Sequence, residues 1–331
     1  MLSQELRNQI QTAAAILRQG GLVAFPTETV YGLGADAENP QAVARIFAAK
    51  GRPTDHPLIV HLASVAQTAH WAEDIPPVAW TLARHFWPGP LTLILRRAPG
   101  VPDIVTGRQD TVGLRVPGHP LALALLEAFG GGIAAPSANL FGRVSPTTAA
   151  HVREELGESV DAILDGGPCR VGIESTIIDL SAWRPRLLRP GGISVAEIEA
   201  VLGEALTGAG QDAPRAPGML RAHYAPRTPV WLLSADALEI EARRRLAQGR
   251  RIAALTLSVT ALPEGCVRQA MSPDPANYAR EVYARLRALD ATGCDAILVE
   301  APPQEVAWQA VRDRLERAAR AGLEQEEGAD A

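Results

Sequence analysis

An α/β fold in two parts is predicted by three features of this 331-residue chain. Short apolar runs of strand length alternate with longer segments of helical periodicity. One stretch, residues 203–229, is rich in Gly and Pro and lacks apolar periodicity, so it reads as a linker. The length on either side of it suffices for a core in each part. This divides the chain into a larger domain over 1–202, a linker over 203–229, a smaller α/β domain over 230–321 and an acidic tail, GLEQEEGADA at 322–331, expected to be disordered.

The N-terminal segment places Leu6, Ile10, Ala14 and Leu17 on one side of a helix and lacks a secretory leader's apolar core. No apolar run reaches membrane-spanning length, so a cytoplasmic protein is expected. Its net charge of -5 gives no global field for nucleic acid or anionic membrane. Three dispersed cysteines without paired spacing read as reduced, packed thiols, and no metal site is expected.

The stretch 20–62 organises the larger domain. Leu22 to Phe25 reads as a strand, followed by a polar turn carrying Thr27, Glu28, Thr29 and Tyr31. A helix then opens at Asn39-Pro40, an N-cap and first-turn pair, and closes at Gly51, leading into the strand Leu58 to Leu62. Lys50 and Arg52 therefore leave one helix end together. All but one of the 32 Lys and Arg residues are arginine, and the exception is Lys50. A compact, rotatable ammonium differs physically from a planar fork, so its retention here points to phosphate or a carboxylate that moves during reaction; a helix-end cation complementing the dipole is the plainer reading.

Pro76-Pro77 divides Val65 to Trp87 into two short helices, and Leu91 to Leu95 and Thr111 to Val116 follow as strands. Arg115 lies between Leu114 and Val116 and points to the opposite face from both. A cation inside an apolar strand needs an anion, which a substrate or a structural carboxylate supplies equally well. His119-Pro120 opens a helix that ends at Gly130. Ile133 to Pro136 then runs into Ser137-Ala138-Asn139, the build of a ligand-facing loop, with Ser145 expected to cap a helix beginning near Thr147. Strands follow at Asp161 to Leu164 and Ile177 to Leu180. Arg189 precedes Gly191-Gly192, whose amides are expected to approach phosphate or ribose. No Walker A or GxGxxG sequence occurs, so any nucleotide is held differently. Met219, His223 and Tyr224 are out of place in a passive tether and mark a linker that docks. Beyond it, strands at Val230 to Leu233, Ile252 to Leu257 and Ala296 to Val299 alternate with helices at Ala235 to Gln248, Ala276 to Leu289 and Val306 to Ala321, a parallel unit.

The ordered set FPTETVYGLG (25–34), KGRPTDHPLIVH (50–61), WPGPLTLIL (87–95), TVGLRVP (111–117), PSAN (136–139), GIESTIID (172–179), LRPGGI (188–193), HYAP (223–226) and AVRDRLERAA (310–319) resembles the YrdC-like threonylcarbamoyl-AMP synthases in their two-domain form. The resemblance covers essentially the whole chain. It implies a YrdC-like twisted mixed sheet with flanking helices, plus a small Rossmann-like C-terminal domain. It also implies a nucleotidyltransferase that makes threonylcarbamoyl-AMP and pyrophosphate from L-threonine, bicarbonate or CO2, and ATP with Mg2+, and hands its product to tRNA-modifying transferases.

Carried over position by position, the resemblance assigns catalysis to Lys50, Arg52, Ser137 and Asn139, and threonine binding to Thr29, His61, Arg115 and Ser175. Lys50, Arg52, His56, Thr111, Ser137, Ser145, Arg189 and Tyr224 would hold ATP. His56 departs from the family, where Asn is frequent. The rival readings are a nucleotide- or double-stranded-RNA-binding module without turnover, and a carbamoyl transferase acting on another amine; the zinc-finger and acylphosphatase-like segments of carbamoyl phosphate-using relatives are not visible in the sequence.

Overall fold

The computed structural model describes residues 3–329, those beyond 322 for their backbone alone. Its chain separates into two compact units, one formed by 1–141 and 146–219, the other by 142–145 and 220–331. The expected boundary at 203 thus moves into the linker. Gly142 to Ser145 joins the second unit, and the two halves of the linker fall in different units.

The first unit is built on ten strands: β1 (Val23–Phe25), β2 (Gly32–Asp36), β3 (Ile59–His61), β4 (Leu91–Arg96), β5 (Thr111–Arg115), β6 (Ile133–Ala134), β7 (Ala162–Ile163), β8 (Thr176–Asp179), β9 (Arg186–Arg189) and β10 (Thr207–Gly208). They form one sheet in the order β10-β9-β8-β4-β5-β3-β6-β2-β1-β7. It is mixed: β3–β5, β4–β8, β1–β7 and β9–β10 are parallel, while β1–β2, β2–β6, β3–β6, β4–β5 and β8–β9 are antiparallel.

Strand periodicity divides the core between the two faces. Val23, Phe25, Ile133 and Ala135 pack under the helices Gln4–Arg18 and Pro120–Phe129 through Ile10, Leu17, Leu121 and Leu125. Leu22, Ala24, Leu33 and Ala35 point the other way, to Val43, Ile46 and Phe47 of the helix Pro40–Lys50. That helix has the expected ends, with Asn39 Oδ1 accepting from the amides of Gln41 and Ala42 and Gly51 at φ 61°, a left-handed exit that glycine adopts without strain. β2 was not legible in sequence because two glycines in GLGAD leave it little strand propensity. The helix after the PSAN loop is Ala149–Leu156 with Thr148 as N-cap, which corrects the expectation that Ser145 caps it.

The second unit is a parallel sheet in the order β11-β14-β12-β13, from β11 (Val230–Leu233), β12 (Ile252–Thr256), β13 (Cys266–Ala270) and β14 (Ala296–Glu300). Exposed residues in β13 concealed that strand from an apolar-run reading. Glu300, buried at the end of β14, accepts from the amides of Leu257, Ser258 and Val259 and from the Ser258 hydroxyl, tying the turn after β12 to its neighbour. The last helix runs from Gln309 to Ala329, across most of the residues expected to form a disordered tail; positions 330–331 lie outside the described residues. No helix is long and apolar enough among the described residues to cross a membrane.

Candidate functional site

The helix Pro40–Lys50 delivers Lys50 to the loop after β6. Lys50 is buried, and its Nζ donates to the carbonyl of Ser137 at 2.6 Å and to that of Asn139. Its own carbonyl accepts from the amide of Phe141. The loop is fixed from the other side, where Leu33 donates to the Pro136 carbonyl and Ala138 donates to the Tyr31 carbonyl, both at 2.8 Å. Arg52 follows the Gly51 turn. Its guanidinium lies 5.6 Å from the Phe141 ring centroid and donates to the Pro57 carbonyl. His56 meets the same ring edge-on. The proposed catalytic set therefore assembles around one loop, together with His56. Burial first, then the Arg52 charge, pushes the Lys50 ammonium well below its ordinary value. A second cation added here needs a compensating anion.

A second cluster forms where β3 and β5 run side by side, with His61 in register with Arg115. Arg115 pairs with the buried carboxylate of Glu28 at 2.8 Å, and donates from Nη2 to Thr29 Oγ1 at 3.0 Å and from Nε to the Gly89 carbonyl. The structural carboxylate that the strand pattern allowed for is thus Glu28. Its presence leaves Arg115 Nη1 without an acceptor among the described residues. The Thr27 hydroxyl accepts from the amides of Thr29 and Val30 and lies 2.8 Å from Thr29 Oγ1, which explains the threonines of the PTET turn. Burial, then the Arg115 charge, pushes His61 down to about 3, so the imidazole is neutral near pH 7. Its Nδ1 is buried with no partner among the described residues.

Ser175 enters from the turn before β8. Its hydroxyl lies 2.8 Å from Thr92 Oγ1, and Arg189 donates to its carbonyl at 2.8 Å and to its hydroxyl at 3.1 Å. Arg189, assigned to ATP by the resemblance, is thus in direct contact with a residue assigned to threonine. Gly191 explains the neighbouring glycine pair. A Cβ there would stand 2.4 Å from the Glu174 carbonyl oxygen and from main-chain atoms of Ser175 and Thr176. The close approach here is to this chain's own backbone, which by itself accounts for a glycine at this position.

Thr111 opens β5 on the face that the first half of the linker covers. Ala213, Ala216 and Met219 pack there on Ile59, Ile94, Ile177 and Leu188. Gln109 exchanges two hydrogen bonds with the backbone of Arg215, whose side chain reaches Asp55 and the Gly107 carbonyl. Met219 therefore docks, as its place in the linker suggested. Ser145 and Tyr224 belong to the second unit. There Ala225 donates to the Gly142 carbonyl, Arg143 donates to the Pro226 carbonyl, and the Tyr224 ring lies 4.9 Å from the guanidinium carbon of buried Arg314.

Sequence reasoning assigned no role to Glu28, Thr92 or Gln109. For Glu28 a signal existed: it is an acidic residue between apolar strands, and Arg115 needed a carboxylate. Thr92 and Gln109 carry none that one sequence reveals. His119 caps its helix by accepting from the Leu121 amide, and burial pushes the Cys169 thiol up to about 12, in keeping with packing roles.

The fold is thus a mixed α/β sheet that gathers buried cations at a small-residue loop and at a carboxylate–hydroxyl cluster. Residues 15–191 match the Sua5/YciO/YrdC family model, described as telomere recombination, and residues 193–320 match the threonylcarbamoyl-AMP synthase C-terminal domain. The threonylcarbamoyl-AMP synthase of Pyrococcus abyssi is 43% identical over 94% of either chain, and that of Bacillus subtilis 43% identical over 94% of this chain and 93% of its own. The solved structure of Pyrococcus abyssi Sua5 with L-threonine superposes with a TM-score of 0.90 at 42% identity, covering 96% of this chain and 95% of that one. The chain belongs to the threonylcarbamoyl-AMP synthase family.

Proposed function

We propose that this protein is a nucleotidyltransferase that makes L-threonylcarbamoyl-AMP and pyrophosphate from L-threonine, bicarbonate or CO2, and ATP, for threonylcarbamoyl modification of adenosine in tRNA. The observation that carries the reading is the pairing of two cation clusters on one sheet: Lys50 and Arg52 at the Ser137–Asn139 loop, and Arg115 among Thr29, His61 and Glu28. Relatives similar along nearly the whole length bear this enzyme's name, and one was solved with L-threonine.

In this reading Arg115 holds the threonine carboxylate through Nη1, with Thr29, His61 and Ser175 around the rest of the amino acid. The amine takes up CO2 to give a carbamate. A carbamate oxygen then attacks the α-phosphorus of ATP, and the bond to the β-phosphate breaks to release pyrophosphate. Both partners are anionic, so the step needs cations that offset repulsion and stabilise charge on the phosphoryl oxygens. Lys50 and Arg52 supply them, with Ser137 and Asn139 as hydrogen-bonding partners. His56, Thr111 and Arg189 face the nucleotide side. Magnesium bound with ATP would offset further negative charge on its phosphates. The product passes to tRNA-modifying transferases.

The test is pyrophosphate release from ATP, with L-threonine and bicarbonate each added or withheld, and mass analysis of the nucleotide. Release that needs both, with threonylcarbamoyl-AMP present, is expected. ATP binding without pyrophosphate release would overturn the reading.

A further inference from the structure

We infer that Glu155 is a positioning residue for Lys50: its carboxylate holds the loop that follows Ser137 by a main-chain amide and supplies the negative charge that keeps Lys50 an ammonium before substrate arrives. The inference rests on the assignment of Lys50 and this loop to the attack on ATP.

Glu155 lies in the last turn of the helix Ala149–Leu156, and its Oε1 accepts from the Leu140 amide at 2.9 Å. An acidic side chain in a last turn works against the helix dipole, so the helix by itself does not account for it. Ala149, Val152 and Leu156 are buried in the core and fix the helix, while Glu155 is half-buried. Two charged side chains from two helices thus hold one loop. Lys50 Nζ takes the carbonyls of Ser137 and Asn139, and Glu155 takes the next amide, that of Leu140. The Lys50 carbonyl accepts from the Phe141 amide at 2.8 Å, and Asn139 Nδ2 donates to the Leu140 carbonyl at 2.6 Å. A cation on carbonyls and an anion on an amide give these peptide dipoles partners of the right sign. Both charges therefore meet the same five residues, 137–141.

The charged side chains that act on Lys50 are Arg52 and Glu155. Burial and then Arg52 push its ammonium well below the ordinary value, and Glu155 opposes them. Of the neighbours on the same elements, Arg153 and Glu154 are exposed, His56 faces Phe141 and Arg52, and His151 accepts from the Thr147 amide. An anionic substrate can neutralise this corner only once it is bound. Glu155 does so beforehand.

Lys50 is the one lysine in the chain, so protein labelled with 13C at the lysine ε-carbon gives a single side-chain NMR signal that reports its protonation. In Glu155→Gln the midpoint of that titration should fall by about half a pH unit or more; an unchanged midpoint would overturn the inference. Pyrophosphate release should follow the same sign. Gln keeps an oxygen for the Leu140 amide, so on the acid side of the titration its kcat should lie within about twofold of wild type, and the gap should widen as pH rises. A rate lowered by one factor at every pH would mean that Glu155 only holds the loop, and would overturn the electrostatic role. Glu155→Ala loses the contact as well, and its kcat on the acid side should fall about fivefold or more below that of Glu155→Gln; equal rates would overturn the role in holding the loop. If Glu155→Gln does not fold, Glu155→Asp, which withdraws the charge by one methylene, should lower the midpoint in the same direction. A wild-type protein that releases no pyrophosphate would instead remove the reaction on which the inference stands, and the NMR comparison would still decide whether Glu155 holds the charge of Lys50.

Discussion

The Nζ of Lys50 donates to the main-chain carbonyl of Ser137 at 2.6 Å, so the end of one helix and the loop after β6 form a single unit. An ammonium with three donors can hold two carbonyls and keep a third hydrogen for a phosphoryl oxygen. A guanidinium cannot be placed there with the same geometry, and burial gives it no room to turn.

Lys50→Arg should fold and lose activity. A fall of about a hundredfold or more in kcat is expected, the size of effect seen when a transition-state donor is removed. Pyrophosphate release, read beside the thermal unfolding midpoint, checks it; an unchanged rate would count against Lys50 as a catalytic residue.

Arg115 and Glu28 should behave as a coupled pair. Arg115→Met leaves a buried carboxylate without its cation and should destabilise by about 3–5 kcal/mol, while adding Glu28→Met should recover much of that loss. Activity should stay lost in the double variant, because the cation proposed to hold the substrate carboxylate is gone. Urea unfolding of the four proteins, read together with threonine binding, gives the cycle.

His61 should not titrate in the working range of the enzyme. Its folded value is pushed from 6.5 down to about 3, so the unfolded chain takes up a proton that the native state refuses. Stability contributed by neutral His61 is therefore complete above pH 6.5 and is lost as pH falls toward 3. Between pH 7.5 and 5, the wild-type protein should lose about 2 kcal/mol more than His61→Gln, at ~1.4 kcal/mol per pH unit per proton. Urea unfolding at the two pH values measures the difference, and equal losses would show that His61 is protonated in the fold.

Gly191→Ala should act on the site from outside it. The added methyl meets main-chain atoms at 2.4 Å, which cannot turn aside as a flexible side chain would. A loss of about 1–3 kcal/mol in stability is expected, together with weaker threonine binding as Ser175 and its partner Arg189 shift. Denaturation and titration of the same variant should show both effects.

In the second unit, Glu300→Ala should destabilise. It strands the amides of Leu257, Ser258 and Val259, at about 1–3 kcal/mol for each buried group left unpaired. Burial works against the Glu300 charge, but the Ser258 hydroxyl and these amides outweigh it and hold the carboxyl below its ordinary value. Its contribution is therefore present at neutral pH and disappears as pH falls through that lowered value. The gap in stability between wild type and variant should be open at neutral pH and close as pH falls into the acidic range, which urea unfolding at both pH values measures.

By itself the sequence determined the local grammar: the Asn39-Pro40 start and Gly51 exit of the helix that carries Lys50, the alternation in Leu22 to Phe25 that divides the core, the solitary lysine, and an arginine in β5 that demanded an anion. These are readable because caps, periodicity and charge burial depend on residues a few positions apart. Only the tertiary structure decided what lay between distant segments. It chose Glu28 as the partner of Arg115 and put Arg189 on Ser175. It set Gly191 against the backbone of Glu174 to Thr176, and gave the two halves of the linker to different units. These relations join residues from 14 to more than 80 positions apart, set by strand order and register, and no local spacing in the chain encodes them.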